Sequence, residues 1–189
     1  VSTERLVAEM AQHKGLAYMR TSRPKTPVTY GPNDTFPIGG SKVLRQSGQD
    51  VATVVGVGVT VFEALKAYDQ LFAEGMHIRV IDAYSLQPID AATLIAAGKA
   101  TGGRIVTVED HYPSGGLGDA VSEAVSSAGF SVHRLAVREI PRSGQPDEFL
   151  SKSKWERFQI LIAGPVMNIL LAFVVTAVVL YQGMDVPAF

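Results

Sequence analysis

Residues 50–72, DVATVVGVGVTVFEALKAYDQLF, contain a complete strand–turn–helix unit. β-Branched residues are frequent in 50–57, a composition that predicts a strand buried on both faces of a sheet. From Phe62 to Phe72 the apolar residues recur at helical spacing, and Gly75 ends the pattern. Parallel sheets covered by helices are built from such units, so this stretch indicates the fold class.

The same alternation continues towards the C-terminus. Strands are predicted at 77–81, 104–108 and 131–137, with helices at 90–100 and 118–128 between them. The short connections imply right-handed crossovers between neighbouring parallel strands. We therefore expect an α/β domain with a mostly parallel sheet and helices on both faces.

The pattern before residue 50 is less regular. A helix is predicted from Ser2 to about His13, and a short strand from Leu16 to Thr21. Residues 24–40 are rich in proline and glycine and show no period. This composition predicts an extended linker that passes between domains.

Composition excludes several classes of function. The chain has 189 residues, a net charge of -1 and no cysteine. Because no large positive field is present, no nucleic-acid partner is expected. The lack of cysteine excludes disulfides, thiolate metal sites and a cysteine nucleophile. The 4 histidines are scattered without an HExxH run, so their spacing assembles no metal site.

One glycine-rich turn has the position of a dinucleotide fingerprint. Gly56 and Gly58 stand between the strand and the helix of residues 50–72, and Asp82 ends the next strand. A carboxylate there could bind a ribose hydroxyl. However, Val61 replaces the third glycine of the fingerprint, and its bulk opposes close helix–strand packing. The favoured interpretation is a tight turn without a cofactor.

A second group of polar residues follows the strand at 104–108. Glu109, Asp110 and His111 could perform acid–base chemistry, and the glycines of 115–118 could hold an anion at a helix start. Alternatively, the acids and His111 fix the loop while the glycines permit close packing. The structural interpretation is favoured, because no nucleophile or metal partner accompanies these residues.

Arg20 and Arg23 follow the predicted strand at 16–21. Guanidinium groups on a loop at a strand end suit bidentate recognition of phosphate. Paired arginines are more often donors to surface salt bridges, and the pattern alone favours that interpretation.

The C-terminal part of the chain differs in character. Residues 158–181 carry no charge, and as a helix they would span roughly 36 Å, against a bilayer core of about 30 Å. We expect a juxtamembrane segment at 147–157, a transmembrane helix at 158–181 and a tail at 182–189. Lys152, Lys154 and Arg157 precede the span and place its N-terminal side in the cytoplasm.

Several runs in the first part of the chain together resemble the C-terminal part of transketolases of the shorter, animal-type branch. They occur in order over residues 1–146: MRTSRP (19–24), GVGVT (56–60), IRVID (78–82), PID (88–90), GRIVTVEDHY (103–112) and PRSG (141–144). The resemblance implies the end of a pyrimidine-binding domain at 1–24, an interdomain linker at 25–43 and a C-terminal α/β domain at 44–146.

Transketolases transfer two-carbon ketol units between sugar phosphates, as homodimers, with thiamine diphosphate and a divalent metal. The resemblance assigns Arg23 to the substrate phosphate and gives His111 no catalytic role. The segments that bind the cofactor and activate it precede Val1 in the order of the family. We therefore expect no catalytic, cofactor-binding or metal-binding residue here, and an isolated chain that binds no cofactor and is inactive.

A second resemblance covers residues 147–189. The runs WERF (155–158), AGPVMN (163–168) and VPAF (186–189) are similar to a membrane helix of bacterial site-2-type zinc metalloproteases. In a complete protease of that family Asn168 could border the site, but both zinc-binding motifs are absent from this chain. The two resemblances meet near residue 145.

The sequence therefore predicts a partial transketolase joined to a membrane segment that contacts the lipid bilayer through 158–181. Two alternatives stay open: a fragment of an intramembrane protease, and a non-catalytic, membrane-anchored α/β binding module. The expected location is the membrane if the join is real, and the cytoplasm otherwise.

Overall fold

The computed structural model describes residues 2–22, 25–137 and 152–181. It divides into two compact units, Val1–Glu139 and Ile140–Phe189. The helices are α1 Ser2–Gln12, α2 Thr60–Ala73, α3 Ala91–Ala100, α4 Leu117–Val125 and α5 Lys154–Tyr181. The strands are β1 Lys42–Arg45, β2 Thr53–Gly56, β3 Arg79–Asp82, β4 Arg104–Val108 and β5 Ser131–Leu135.

The five strands form one sheet in the order β1-β3-β2-β4-β5. The pairs β2–β3, β2–β4 and β4–β5 are parallel, as the strand–helix alternation predicts. Only β1 is antiparallel, along the outer edge of β3. This strand was not predicted, because its four residues follow a stretch rich in proline and glycine.

The sheet is covered by helices on both faces, which confirms the expected fold class. Adjacent residues of a strand point to opposite faces, and Val80 and Ile81 belong to different clusters of buried residues. Ile81 packs in the cluster formed with α3 and α4, and Val80 packs in the cluster formed with α2. β2 and β3 are therefore buried on both sides.

Two sequence predictions near the ends of elements have different outcomes. Asp90 caps α3 as predicted, accepting a hydrogen bond from the Thr93 backbone N–H at 3.0 Å. The strand predicted at 16–21 is wrong: these residues carry no regular secondary structure. A strand needs a neighbouring strand to pair with, and the described part of the chain offers none to this segment.

The second unit contains α5, which begins at a capping box. The Ser153 hydroxyl accepts a hydrogen bond from the Glu156 backbone N–H at 3.3 Å, and the Glu156 carboxylate accepts one from the Ser153 backbone N–H at 2.8 Å. This reciprocal pair explains why the helix starts four residues before the uncharged run. Pro165 lies inside the helix.

The transmembrane helix expected at 158–181 is not supported. Among the residues that the structure describes, no helix is long and apolar enough to cross a bilayer. The physical reason for the discrepancy is that an apolar run specifies burial of a helix without specifying what buries it, lipid or protein. The expected tail at 182–189 and most of the segment before α5 lie outside the described residues.

Candidate functional site

The carboxyl edge of the parallel strands is where this fold places a site. β2 and β4 are neighbours, yet the helices that follow them, α2 and α4, cover opposite faces of the sheet. Open α/β sheets bind ligands in the crevice that opens at such a switch point. The glycine turn at 56–58, Asp82 and Glu109 all follow or end strands at this edge.

Thr60, the first residue of α2, bridges the crevice between β2 and β4. Its hydroxyl accepts a hydrogen bond from the Val57 backbone N–H at 3.0 Å and lies 2.6 Å from the Val108 carbonyl oxygen, to which it donates. A Cβ on Gly56 would lie 3.1 Å from the backbone of Val61. The glycine therefore permits close packing of α2 on the strand, although Val61 stands where the fingerprint has its third glycine.

Asp82, the residue considered for a ribose hydroxyl, is already bound by the chain itself. It is 7% exposed, and its carboxylate accepts a hydrogen bond from the Tyr30 hydroxyl. Burial raises the pKa of Asp82, and the Tyr30 hydrogen bond opposes that shift. Burial, together with the negative charge of Asp82, also raises the pKa of Tyr30 above its ordinary value. A ribose hydroxyl could reach Asp82 only by displacing Tyr30.

Glu109 occupies the N-terminus of α4. Its carboxylate accepts hydrogen bonds from the backbone N–H groups of Leu117 at 2.6 Å and Gly118 at 3.0 Å. The side chain is 4% exposed. A Cβ on Gly116 would lie 1.9 Å from a Glu109 carboxylate oxygen, so the glycine is needed for this approach. The N-terminus of α4, which could have bound the anion of a ligand, thus binds the carboxylate of Glu109 instead.

Arg134 on β5 fixes the other side of α4. It donates to the Asp119 carboxylate at 2.5 Å and to the Ser122 hydroxyl at 2.8 Å. The Gly115 backbone N–H donates to the same carboxylate at 2.6 Å. That backbone donor, followed by Arg134, lowers the pKa of Asp119. Beside this cluster, Val108, Glu109 and residues 134–137 line an open cleft of about 350 Å³.

The other sequence candidates are dispersed. His111 is exposed, with Nδ1 2.8 Å from the Tyr112 carbonyl oxygen, and Asp110 is exposed beside it. Arg20 is exposed, whereas Arg23 lies outside the described residues. Among residues 2–22, 25–137 and 152–181, no three His, Asp or Glu side chains come together as potential metal ligands.

The segment missed by sequence reasoning is 29–41, here called the strap, which was expected to be linker. Its Phe36 is fully buried, with ring centroids 4.9 Å from Tyr30 and 5.0 Å from Tyr84. Tyr84 also donates to the Pro37 carbonyl oxygen at 3.1 Å. Two aromatic residues within a tract of proline and glycine were the available signal, because a solvated linker has little use for them.

Comparison with known proteins adds to this geometry. The family model described as "Transketolase, C-terminal domain" matches residues 39–157. Transketolase-like protein 1 of Bos taurus is 54% identical over 151 residues, which cover 79% of this chain and 25% of the relative. Transketolase of Mus musculus is 46% identical over the same length, covering 79% of this chain and 24% of the relative.

A solved structure agrees with these sequence matches. "Split gene transketolase, inactive beta4 tetramer" superposes with a TM-score of 0.68 and 36% identity, covering 73% of this chain and 45% of that chain. This chain spans about a quarter of the length of the curated relatives that it matches. The family match extends to residue 157, beyond the join expected near 145.

Proposed function

The chain belongs to the family of transketolase C-terminal domains, and from that premise we propose that it is the C-terminal part of an enzyme that transfers two-carbon ketol units between sugar phosphates. The match of the family model over residues 39–157 is the observation that carries the proposal. Relatives at 46% to 54% identity bear the names transketolase and transketolase-like protein.

The thiamine diphosphate and divalent metal of such an enzyme would be held by segments outside this chain. Three features of the carboxyl edge support this division of roles. The Glu109 carboxylate accepts a hydrogen bond at the N-terminus of α4, and the Tyr30 hydroxyl donates to the Asp82 carboxylate. The Thr60 hydroxyl, just after β2, donates to the carbonyl oxygen of Val108 at the end of β4. These three polar groups are bound within the domain instead of facing a cofactor. The domain's contribution is packing, and the chain alone is expected to be inactive.

Arg23 is proposed as the residue that binds the substrate phosphate. It stands in the MRTSRP run (19–24), which carries part of the family resemblance. A guanidinium presents paired N–H groups that match two phosphate oxygens, and this geometry gives both charge and orientation. Arg23 would thus select phosphorylated sugars over the same sugars without phosphate.

Assembly into oligomers is part of the proposal. The split-gene transketolase that superposes on this chain is described as an inactive β4 tetramer. We expect the parent of the present chain to be a homodimer at least. A location in the cytoplasm likewise stays a prediction.

The two alternative functions, a protease fragment and a non-catalytic binding module, are less well supported. The relatives named above are transketolases or transketolase-like proteins, and they give the protease resemblance at 147–189 no support. A nucleotide-binding module is disfavoured because Asp82, which would meet the ribose, already accepts a hydrogen bond from Tyr30, and because Gly56 in the turn before α2 packs against the backbone of Val61.

The proposed function can be tested in a chimera. Residues 1–157 would replace the matching segment of mouse transketolase, and ketol transfer would be measured with an aldose phosphate and with the same aldose lacking phosphate. We expect turnover of both. Arg23→Ala should raise KM for the phosphorylated sugar about 10- to 100-fold, the loss of one or two charge-assisted hydrogen bonds, and leave the other KM unchanged.

Arg45→Ala is the matched control, because Arg45 is exposed and its guanidinium contacts only neighbouring groups: it donates to the Leu44 carbonyl and lies over the Tyr68 ring, 5.6 Å from the ring centre. A folded chimera without turnover would contradict the proposed family role. An unchanged KM in Arg23→Ala would contradict the role of Arg23.

A further inference from the structure

We propose that residues 16–21, here called the donor segment, form a strand only when they add to the open edge of a sheet in a partner. The partner is the part of the proposed parent enzyme that this chain does not contain. This inference rests on the proposed function, because that function implies such a partner. It adds the segment through which the two parts join.

The residue pattern of the donor segment is the first support. In an extended chain Leu16 and Tyr18 lie on one face, and Ala17 and Met19 lie on the other. Apolar residues on both faces are typical of strands in sheets that helices cover on both sides. The segment therefore has the composition of a buried strand, although it carries no regular secondary structure in this chain.

Exposure of the same residues is the second support. Leu16 is 103% exposed and Tyr18 is 88% exposed, as much as in an extended peptide. Val28, just before the strap, is 83% exposed. Single exposed apolar residues are ordinary, but three that are almost fully exposed within residues 16–28 indicate a surface that another molecule covers.

The donor segment also lacks the features that keep a free strand from pairing. Natural edge strands carry charges, prolines or irregularities that block a further strand. The edge strand β1 has the basic residues Lys42 and Arg45 and a shift of register between Val43 and Arg45. Residues 16–19 contain no charge, proline or glycine. They are therefore suited to pairing in a way that β1 is not.

The helix before the donor segment points to the same partner. α1 ends at Gln12 and contains no buried residue, and its apolar residue Val7 is 50% exposed. A helix joined to a strand by a short connection packs on the sheet to which that strand belongs. α1 and the donor segment are thus successive parts of one α/β unit, whose sheet is not among the residues that the structure describes.

The strap marks where the chain returns to its own domain. Tyr30 donates to the buried Asp82 carboxylate, and the Gly39 backbone N–H donates to the Ser85 hydroxyl at 2.9 Å. The buried aromatic ring of Phe36 lies between these two contacts in sequence. The chain is therefore bound to this domain from residue 30 onwards, whereas the donor segment before it is available to a partner.

The length of the relatives supports a partner from the same enzyme. This chain covers 25% of the Bos taurus relative and 24% of the Mus musculus relative, so about three quarters of such an enzyme lie outside it. A second copy of the chain is a poorer partner, because the edge strands of its described sheet, β1 and β5, carry basic side chains. The expected partner presents an open edge with apolar groups above and below it.

The test compares hydrogen exchange in the chimera described above with exchange in the 189-residue chain. Backbone amides of residues 16–21 should exchange at least about 100-fold more slowly in the chimera, because their hydrogen bonds to a neighbouring strand form only there. The amides of the central strand β2 are the internal control and should be protected in both proteins.

Two proline variants distinguish strand pairing from apolar contact alone. Successive N–H groups of a strand point to opposite edges, so either Ala17→Pro or Tyr18→Pro must remove a donor that faces the partner. At least one of them should speed exchange of the remaining donor-segment amides in the chimera by about 10-fold or more. Neither should change the urea midpoint of the 189-residue chain, where the segment is unpaired.

Leu16→Asp should likewise speed exchange in the chimera, because it places a charge on a face that the partner covers. Its matched control is Met76→Asp, at a residue that is 46% exposed and lies beyond the end of α2. This control should leave exchange of residues 16–21 unchanged.

The outcomes separate this inference from the proposed function. Equally fast exchange of residues 16–21 in an active chimera and in the isolated chain would overturn the donor segment and leave the proposed function standing. Slow exchange in the isolated chain that depends on its concentration would also overturn it, because a second copy would then supply the edge. Slow exchange in a folded chimera without turnover would support the donor segment while contradicting the proposed function.

Discussion

Replacement of Glu109 by alanine tests whether the Glu109 carboxylate stabilises the N-terminus of α4. The carboxylate is the acceptor for the Leu117 and Gly118 backbone N–H groups, at 2.6 and 3.0 Å, in a site that is 4% exposed. Leaving a buried donor unpaired costs about 1–3 kcal/mol. Two such donors give an expected loss of roughly 2–6 kcal/mol in the free energy of unfolding for Glu109→Ala.

Glu109→Gln removes the negative charge of the side chain while keeping its size and shape. The amide oxygen can still accept one hydrogen bond, but its NH₂ group then faces the second backbone N–H. The interaction between the carboxylate and the positive end of the helix is lost as well, which is worth about 0.3–2 kcal/mol. We expect this variant to lie between Glu109→Ala and the wild type, about 1–3 kcal/mol below the latter.

The assay is urea denaturation of the 189-residue chain, followed by far-ultraviolet circular dichroism, with Asp110→Ala as the control. Asp110 is the adjacent carboxylate but is exposed, so its loss should change stability by less than about 0.5 kcal/mol. Added formate should restore part of the stability of Glu109→Ala and have no such effect on the wild type. A Glu109→Ala variant as stable as Asp110→Ala would refute the reasoning.

Two further predictions concern packing and pH. Phe36→Ala should lower the free energy of unfolding by about 3–5 kcal/mol, because the ring is fully buried. Phe72→Ala, at a ring that is 52% exposed, should have a much smaller effect in the same denaturation experiment; equal effects would contradict the buried strap. Asp119 has a lowered pKa in the folded state, first from the Gly115 N–H and then from Arg134. Its contribution to stability is present above the unfolded pKa of about 3.9 and is lost as the pH falls through the lower folded value. The deficit of Asp119→Asn should therefore be full at neutral pH and vanish in strong acid, and a deficit that does not change between pH 6 and pH 2 would contradict it.

The repeating parts of the fold could be predicted from the sequence. β2, β3, β4 and α2 have strong local patterns, because strands buried on both faces require apolar runs and a covering helix requires helical spacing. β1 escaped prediction because it is short, lies at the edge and depends on pairing with Asp82 and its neighbours. Such pairing over a long distance in sequence leaves no local period.

Some residues of the candidate site could likewise be predicted from the sequence, and others could not. Sequence alone found Glu109 and the glycines around 116 and favoured a structural role for them, since no nucleophile accompanied them; the structure adds the hydrogen bonds from Leu117 and Gly118 to the Glu109 carboxylate. It could not find the contact between Tyr30 and Asp82, because the two residues are separated by a proline-rich tract and only folding brings them together. The apolar run at 158–181 predicted a membrane span on length and composition, and the described part of the chain contains no helix that supports one.

The strap also determines where the polypeptide can be divided. A chain beginning at residue 44, the domain boundary that the resemblance implies, would lack Phe36 and Tyr30. It would leave Asp82 without its donor and expose the faces of Tyr84 and neighbouring groups that Phe36 covers. It would also cut β1 in half. A gene that is split, or a protein that is trimmed, keeps this domain whole only if the break falls before residue 29.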